Sequence, residues 1–266
     1  MIVQSVAGWV DIAGFAAGLL ISVVTAPVGV SGAVFLLPVQ VSLFSVPSPS
    51  VTPTNLLFNV VAGPGALLRY RRIGDLGGPL TRQLVTGTLP GIVLGAIIRV
   101  FAAPGPRIFH LLVAAFLLPL GVWLCVRTLR QPTGRTTVRP PSRASITAMA
   151  LAVGVIGGIY GIGGGSIPAP VLIGSGLPAA EVAPAALAST FVTSVAGVAT
   201  FTILSLSHHG PVAPDWPTGI ALGLGGLAGT YTGARLQARM PDTVIRRIVG
   251  ILVIVIGGRY LWSGLS

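Results

Sequence analysis

Lysine is absent from this chain, only five of its 266 residues are acidic, and a single cysteine is present. Charged residues make up 8% of the sequence, whereas a soluble domain carries about 25% to keep its surface in water. One cysteine excludes a disulfide-stapled module, and Cys125, near the end of an apolar run, reads as a small buried hydrophobe with no redox role. The scarcity of charge excludes a soluble enzyme with a deep core. It equally excludes a disordered tail, because 53% of the residues are hydrophobic and the mean hydropathy is +0.91. The solvent such a chain requires is the bilayer.

A net charge of +11 raises the question of nucleic acid, since clustered cations neutralise phosphates. Here all 16 cations are arginines, most of them in short connections between apolar runs rather than along one face. That distribution is the cytoplasmic signature of membrane spans, and a nucleic-acid partner is rejected.

Ten apolar segments follow one another: Gly8 to Thr25, Val28 to Phe44, Thr54 to Leu68, Gln83 to Phe101, Ile108 to Val126, Ala144 to Tyr160, Ser166 to Gly176, Val182 to Leu206, Trp216 to Ala234 and Val244 to Ser263. A spanning helix needs roughly 20 residues, and the first, second, sixth and seventh segments look short by that measure. Each short pair is divided by helix breakers. Pro27 and Gly29 split the first pair, and Gly161, Gly163, Gly164 and Gly165 split the second. No basic residue precedes Arg69, so the first segment lacks the positive start of a signal peptide and reads as a retained span.

The arginines set the topology. Arg69, Arg71, Arg72 and Arg82 form one group; Arg127, Arg130, Arg135, Arg139 and Arg143 a second; Arg235, Arg239, Arg246 and Arg247 a third. If each broken pair enters and leaves on one side, these thirteen are cytoplasmic and only Arg99, Arg107 and Arg259 lie outside. One net crossing per pair would give ten against six, and the positive-inside rule prefers the first arrangement. The fold expected is therefore an all-α integral membrane protein of two inverted-topology repeats, each a broken or re-entrant helix pair plus three transmembrane helices. Residues 1–130 form the first repeat, 131–143 a basic connection and 144–266 the second, with both termini outside and 127–143 cytoplasmic.

Duplication is visible in the residues. Setting Gly29 Val30 Ser31 Gly32 against Gly161 Ile162 Gly163 Gly164 brings Pro38 onto Pro170; small gaps bring Pro47 onto Pro178 and Pro53 onto Pro184. A further gap matches Val61 Ala62 Gly63 with Val195 Ala196 Gly197, which pairs Asn55 with Ser189 and Asn59 with Thr193. Each polar pair has i, i+4 spacing and shares one helix face. In transporters built from inverted repeats, broken helices meet near the midplane and form the substrate site.

The run Gly157 Gly158 Ile159 Tyr160 Gly161 Ile162 Gly163 Gly164 Gly165 Ser166 Ile167 Pro168 Ala169 Pro170 Val171 Leu172 resembles the TauE/SafE family of sulfite exporters, also called the TSUP family. Pro184 Ala185 Ala186 Leu187 Ala188 Ser189 Thr190 Phe191 looks like the hydroxylated helix that follows, and Gly29 Val30 Ser31 Gly32 Ala33 is a degraded first-half version of the glycine run. The resemblance implies a multi-pass plasma-membrane transporter of small sulfur-containing or organic anions such as sulfite, thiosulfate or sulfoacetate.

Helix N-termini present free N–H groups and partial positive charge, which suits an oxyanion. The expected site lies where the second and seventh segments begin, at Ser31 and Gly32 and at Gly163, Gly164, Gly165 and Ser166. Asn55, Asn59, Thr190 and Thr193, with Ser189 and Ser194, complete the shell, and Tyr160 stands before the break as a gate. The competing reading is close packing by small residues and hydroxyls bonded to backbone. His208 and His209 lack the ligand set of a zinc site, His110 stands alone, and no cofactor is expected. None of the five acids lies mid-span, so no carboxylate offers a proton relay. No catalytic constellation is visible, so the chain reads as a transporter and not an enzyme. The alternative is a channel-like permease passing a sulfur compound to a cytoplasmic partner. The partners expected are a small anion and the bilayer, and a homo-oligomer is compatible with the sequence.

Overall fold

The computed structural model describes residues 2–72, 76–102, 142–174, 177–207 and 210–239, with isolated positions in 114–126 and 241–262. His110, Cys125, His208, His209, the connection 127–141 and most of the fifth and tenth apolar segments lie outside the described residues. Regular structure among the described residues is helical throughout. The helices are α1 (Ile2–Thr25), α2 (Ala33–Ser42), α3 (Ser48–Arg71), α4 (Pro79–Phe101), α5 (Arg143–Tyr160), α6 (Pro168–Gly174), α7 (Ala179–Ser207) and α8 (Trp216–Leu236), with 3-10 turns at Ala26–Val28 and Gln237–Arg239. Five, namely α1, α3, α4, α5 and α7, contain stretches long and apolar enough to cross a membrane.

Both helix pairs expected to be broken are broken, α1 from α2 and α5 from α6. The third segment differs from expectation. Its helix starts at Ser48 rather than Thr54, because Pro49 occupies the first turn, where no N–H is needed, and the polar residues Ser50, Thr52 and Thr54 are buried against neighbours instead of ending the span. Large apolar side chains such as Ile12, Leu20, Leu94, Leu151 and Ile203 are exposed around the outside, the surface a bilayer requires.

One interface is built twice. Gly87, Gly91 and Gly95 of α4 face Thr147, Leu151 and Val155 of α5, and Gly225, Gly229 and Gly233 of α8 face Phe15, Leu19 and Val23 of α1. A Cβ added at Gly91, Gly95, Gly225, Gly229 or Gly233 would sit between 1.9 and 2.6 Å from the facing carbonyl oxygen. Gly154 and Gly158 press back on the Thr88 and Ile92 carbonyls, and Gly18 on that of Leu222. Without a hydrophobic force between helices in lipid, such backbone approach supplies the van der Waals attraction that holds them.

These contacts also fix helix direction. α1, α3 and α8 point one way: Gly229 meets Leu19 and Gly233 meets Val23, while Gly219 meets Leu57 and Gly223 meets Val61. α4, α5 and α7 point the other way, since Arg99 near the end of α4 bonds Ser48 at the start of α3, and Gly197 and Gly63 fix α7 antiparallel to α3. Arg69, Arg71, Arg72, Arg82, Arg143, Arg235 and Arg239 consequently fall at one end of the bundle. Arg99, alone among the described arginines, lies at the other.

Overpacking this close costs about 1–3 kcal/mol. Gly95→Ala and Gly225→Ala should each lower the melting temperature of the detergent-solubilised protein by on the order of 5 °C. Gly258→Ala, where an added Cβ meets nothing within 4 Å, should leave it unchanged, as read by thermal-shift assay.

Candidate functional site

Each break begins with the same turn. Gly29 adopts the left-handed conformation at φ 72°, ψ 15° and donates its N–H to the Ala26 carbonyl; Gly161 does so at φ 73°, ψ 21° and donates to Gly157. A side chain is disfavoured in this conformation, and there is no room for one. A Cβ on Gly29 would lie 2.7 Å from Ala183 Cα, and one on Gly161 would lie 2.3 Å from the Thr52 oxygen. Thr52 precedes Pro53 and Ala183 precedes Pro184, so each break docks at the same point on the α3 or α7 of the opposite half.

Carried along both helices, that register pairs Asn55 with Ala186 and Asn59 with Thr190. Asn55 Nδ2 donates to the Ala33 carbonyl at 2.7 Å, and the Ala186 carbonyl stands where a Cβ of Gly165 would be. The gapped pairing of Asn59 with Thr193 differs from this register by three residues.

Beyond these turns the two breaks meet. Ser31 N donates to Ser166 Oγ at 3.2 Å, and Ser166 Oγ donates to the Ile162 carbonyl at 2.8 Å. Ser31 Oγ donates to Asn59 Oδ1 and accepts from Ala33 N at 3.0 Å. Gly164 N donates to Thr193 Oγ1 at 2.9 Å and Gly165 N to Thr190 Oγ1 at 3.1 Å. The amides expected to face an anion are thus held by hydroxyls of α7 and of the break itself. Gly32 and Gly164 flank the junction: Ser22 Oγ lies 3.1 Å from a Cβ built on Gly32, and the Thr88 side chain 2.6 Å from one built on Gly164.

Several buried polar atoms here have no hydrogen-bond partner. Asn59 Nδ2 and Ser194 Oγ are two, and both stand within 3.4 Å of where a Gly163 Cβ would be. Ser22 Oγ and Thr25 Oγ1, at the end of α1, are two more. An unpartnered donor inside a protein costs about 1–3 kcal/mol, so a group of them beside one glycine calls for an acceptor. Asn55 is the opposite case. With its amide on Ala33 and its oxygen accepting Gln40 Nε2 at 2.7 Å, it fixes α2 against α3.

The family model of the sulfite exporter TauE/SafE matches residues 14–260. The chain belongs to the sulfite exporter TauE/SafE family. The probable membrane transporter protein YunE of Bacillus subtilis (strain 168) is 24% identical over 269 residues, spanning 93% of this chain and 96% of its own. No solved structure matches. TauE/SafE membership and the apolar spans together make this a multi-pass membrane transporter.

In this TauE/SafE protein the residues singled out from the sequence converge, with two qualifications. Ser31, Gly32, Asn59, Gly163, Gly164, Gly165, Ser166, Thr190 and Thr193 gather where the breaks meet, whereas Asn55 braces α2 and Tyr160, buried at the end of α5, lies near Arg99. Ser189 Oγ sits 3.3 Å from Thr88 Oγ1. Thr88, Gln40 and Ser22 escaped the sequence reading because they arrive from other helices. Among the described residues no three His, Cys, Asp or Glu side chains could share a metal ion.

The Gly164–Thr88 contact is a test of this geometry. Gly164→Ala should destabilise the protein by about 2 kcal/mol through overpacking. Thr88→Gly should recover at least half of that loss in the double variant, measured as a coupling free energy from denaturation of all four proteins.

Proposed function

We propose that the protein carries small sulfur-containing or organic anions, such as sulfite, thiosulfate or sulfoacetate, across the plasma membrane. The anion is held near the midplane between the two glycine-broken helices. The observation that carries this reading is the cluster of unpartnered neutral donors, Asn59 Nδ2 and Ser194 Oγ, beside Gly163 at the junction of the breaks. Neutral donors suit an anion that must leave again, because they stabilise its charge without a permanent ion pair. The N–H groups of Gly164 and Gly165 add to this shell when the Thr193 and Thr190 hydroxyls turn aside.

In this reading the halves are inverted-topology repeats, 1–130 and 144–266, joined by the basic connection 131–143. The duplicated glycine interface and the opposed directions of α1 and α5 support it. The arginine-rich end faces the cytoplasm, as the positive-inside rule requires, and both termini face outside. The pairs that the glycine contacts join, α4 with α5 and α1 with α8, rock against each other around the fixed site. No cofactor takes part.

Counterflow into proteoliposomes tests the proposal, with labelled sulfite or thiosulfate outside and unlabelled anion trapped inside. Transient accumulation is expected. Steady passive flux without accumulation would favour a channel-like permease that feeds a cytoplasmic partner, and no flux of any anion would remove the substrate class. Asn59→Leu should raise the half-saturating anion concentration tenfold or more, since a hydrogen bond to a charged group is worth about 1.5–3 kcal/mol. An unchanged value would count against Asn59 as a ligand.

A further inference from the structure

Both breaks are tied down at their far ends, away from Ser31 and Ser166. Where α3 begins, Thr52 Oγ1 donates to the Ile159 carbonyl at 3.0 Å and accepts Arg99 Nε at 3.2 Å. Arg99 Nη2 also donates to the Ser48 carbonyl and to Ser48 Oγ, the latter at 2.9 Å. Arg99 is only 7% exposed, and Tyr160 lies close enough to it to interact electrostatically. At the opposite end of the bundle, Gln237 Nε2 donates to the Pro27 carbonyl at 2.8 Å. Tyr70 Oη donates to Gln237 Oε1 at 2.9 Å and lies 3.5 Å from the Ala26 carbonyl.

These two ties are one device at duplicated positions. Arg99 stands four residues after Gly95 and Gln237 four after Gly233, the glycines that face Val155 and Val23. Ile159 and Pro27 each stand two residues before the left-handed glycine of their break. The same place in each half therefore holds the same carbonyl, directly through a neutral amide at one end and through Thr52 with a buried cation at the other.

We propose that Arg99 with Thr52, and Gln237 with Tyr70, are the positioning residues of an outer and an inner latch, each holding one helix break closed. The inference rests on the two-sided transport reading above. Releasing the outer latch frees the Ile159–Gly161 turn from the first turn of α3 and opens a path from outside to Ser166. Releasing the inner latch frees Ala26–Gly29 and opens a path from the cytoplasm to Ser31. Both latches are made in this structure, which is the closed state between the two openings. The charge-assisted bonds of Arg99 reach Thr52 and Ser48 of α3, while the breaks themselves are held by neutral bonds, from Thr52 at one end and from Gln237 at the other.

Thiol labelling with a membrane-impermeant reagent tests this in Cys125→Ala protein, with reporters Ile162→Cys below the outer latch and Val30→Cys below the inner one. Thr52→Val, nearly isosteric, should raise labelling of Ile162→Cys in right-side-out vesicles threefold or more and lower labelling of Val30→Cys in inside-out vesicles. Gln237→Leu should do the reverse. Thr52→Ser should restore the parent pattern, and Arg99→Gln, neutral as in the other half, should act in the same direction as Thr52→Val. Equal loosening at both reporters, or no change at either, would overturn the latches. Labelling needs no substrate, so a failed anion assay and a failed latch are distinguishable.

Discussion

Hydrocarbon offers a backbone amide no water, so any stretch that leaves the helix inside a membrane must find partners within the protein. The two breaks in this transporter meet that constraint in one place and by one means. Ser166, Ser31, Thr193 and Thr190 hydroxyls accept the amides of Ser31, Ala33, Gly164 and Gly165 in turn. The breaks are consequently joined to each other, through Ser31 and Ser166, and to α7, through Thr190 and Thr193. The same economy leaves Asn59 Nδ2 and Ser194 Oγ over, and the proposed anion site rests on these surplus donors.

Glycine gives the frame its precision. Where α4 meets α5 and α8 meets α1, the facing carbonyls stand where side chains would begin, so the helices have a single depth of approach and a single register. A fixed register is what brings Thr88 against Gly164, Thr52 against Gly161 and Ala183 against Gly29. The rigid interfaces lie within the pairs that would rock. The ties at Arg99 and Gln237 hold the breaks through a few hydrogen bonds only, which is why the proposed latches are placed there.

Much of this was legible in the sequence, for local reasons. Pro27, Gly29 and the glycine run at 161–165 announce breaks because their backbone preferences act on the residues themselves, and both breaks are where those preferences put them. The described arginines other than Arg99 sort to one end because topology, not packing, decides where they go. What depends on distant partners was not legible. Asn55 and Asn59 look alike on one helix face, yet one braces α2 while the other has a free amide, and only the arrival of Gln40 and Ala33 separates them. The alignment that paired Asn59 with Thr193 followed a shared Val-Ala-Gly triplet, whereas the helices keep an ungapped register. Gly87, Gly91 and Gly95 and their counterparts Gly225, Gly229 and Gly233 carry a four-residue spacing that a hydropathy reading passes over, although it encodes the frame.

Protection of the junction by bound anion tests the central claim most directly. Ser31→Cys and Ser166→Cys, each as the only thiol in Cys125→Ala protein that retains counterflow, would be alkylated with N-ethylmaleimide across a range of concentrations of a non-nucleophilic anion that drives counterflow. Both thiols should be protected, with one half-protecting concentration that matches the half-saturation of transport. Full alkylation of both at anion concentrations that saturate transport would place the anion elsewhere and contradict a site between the breaks.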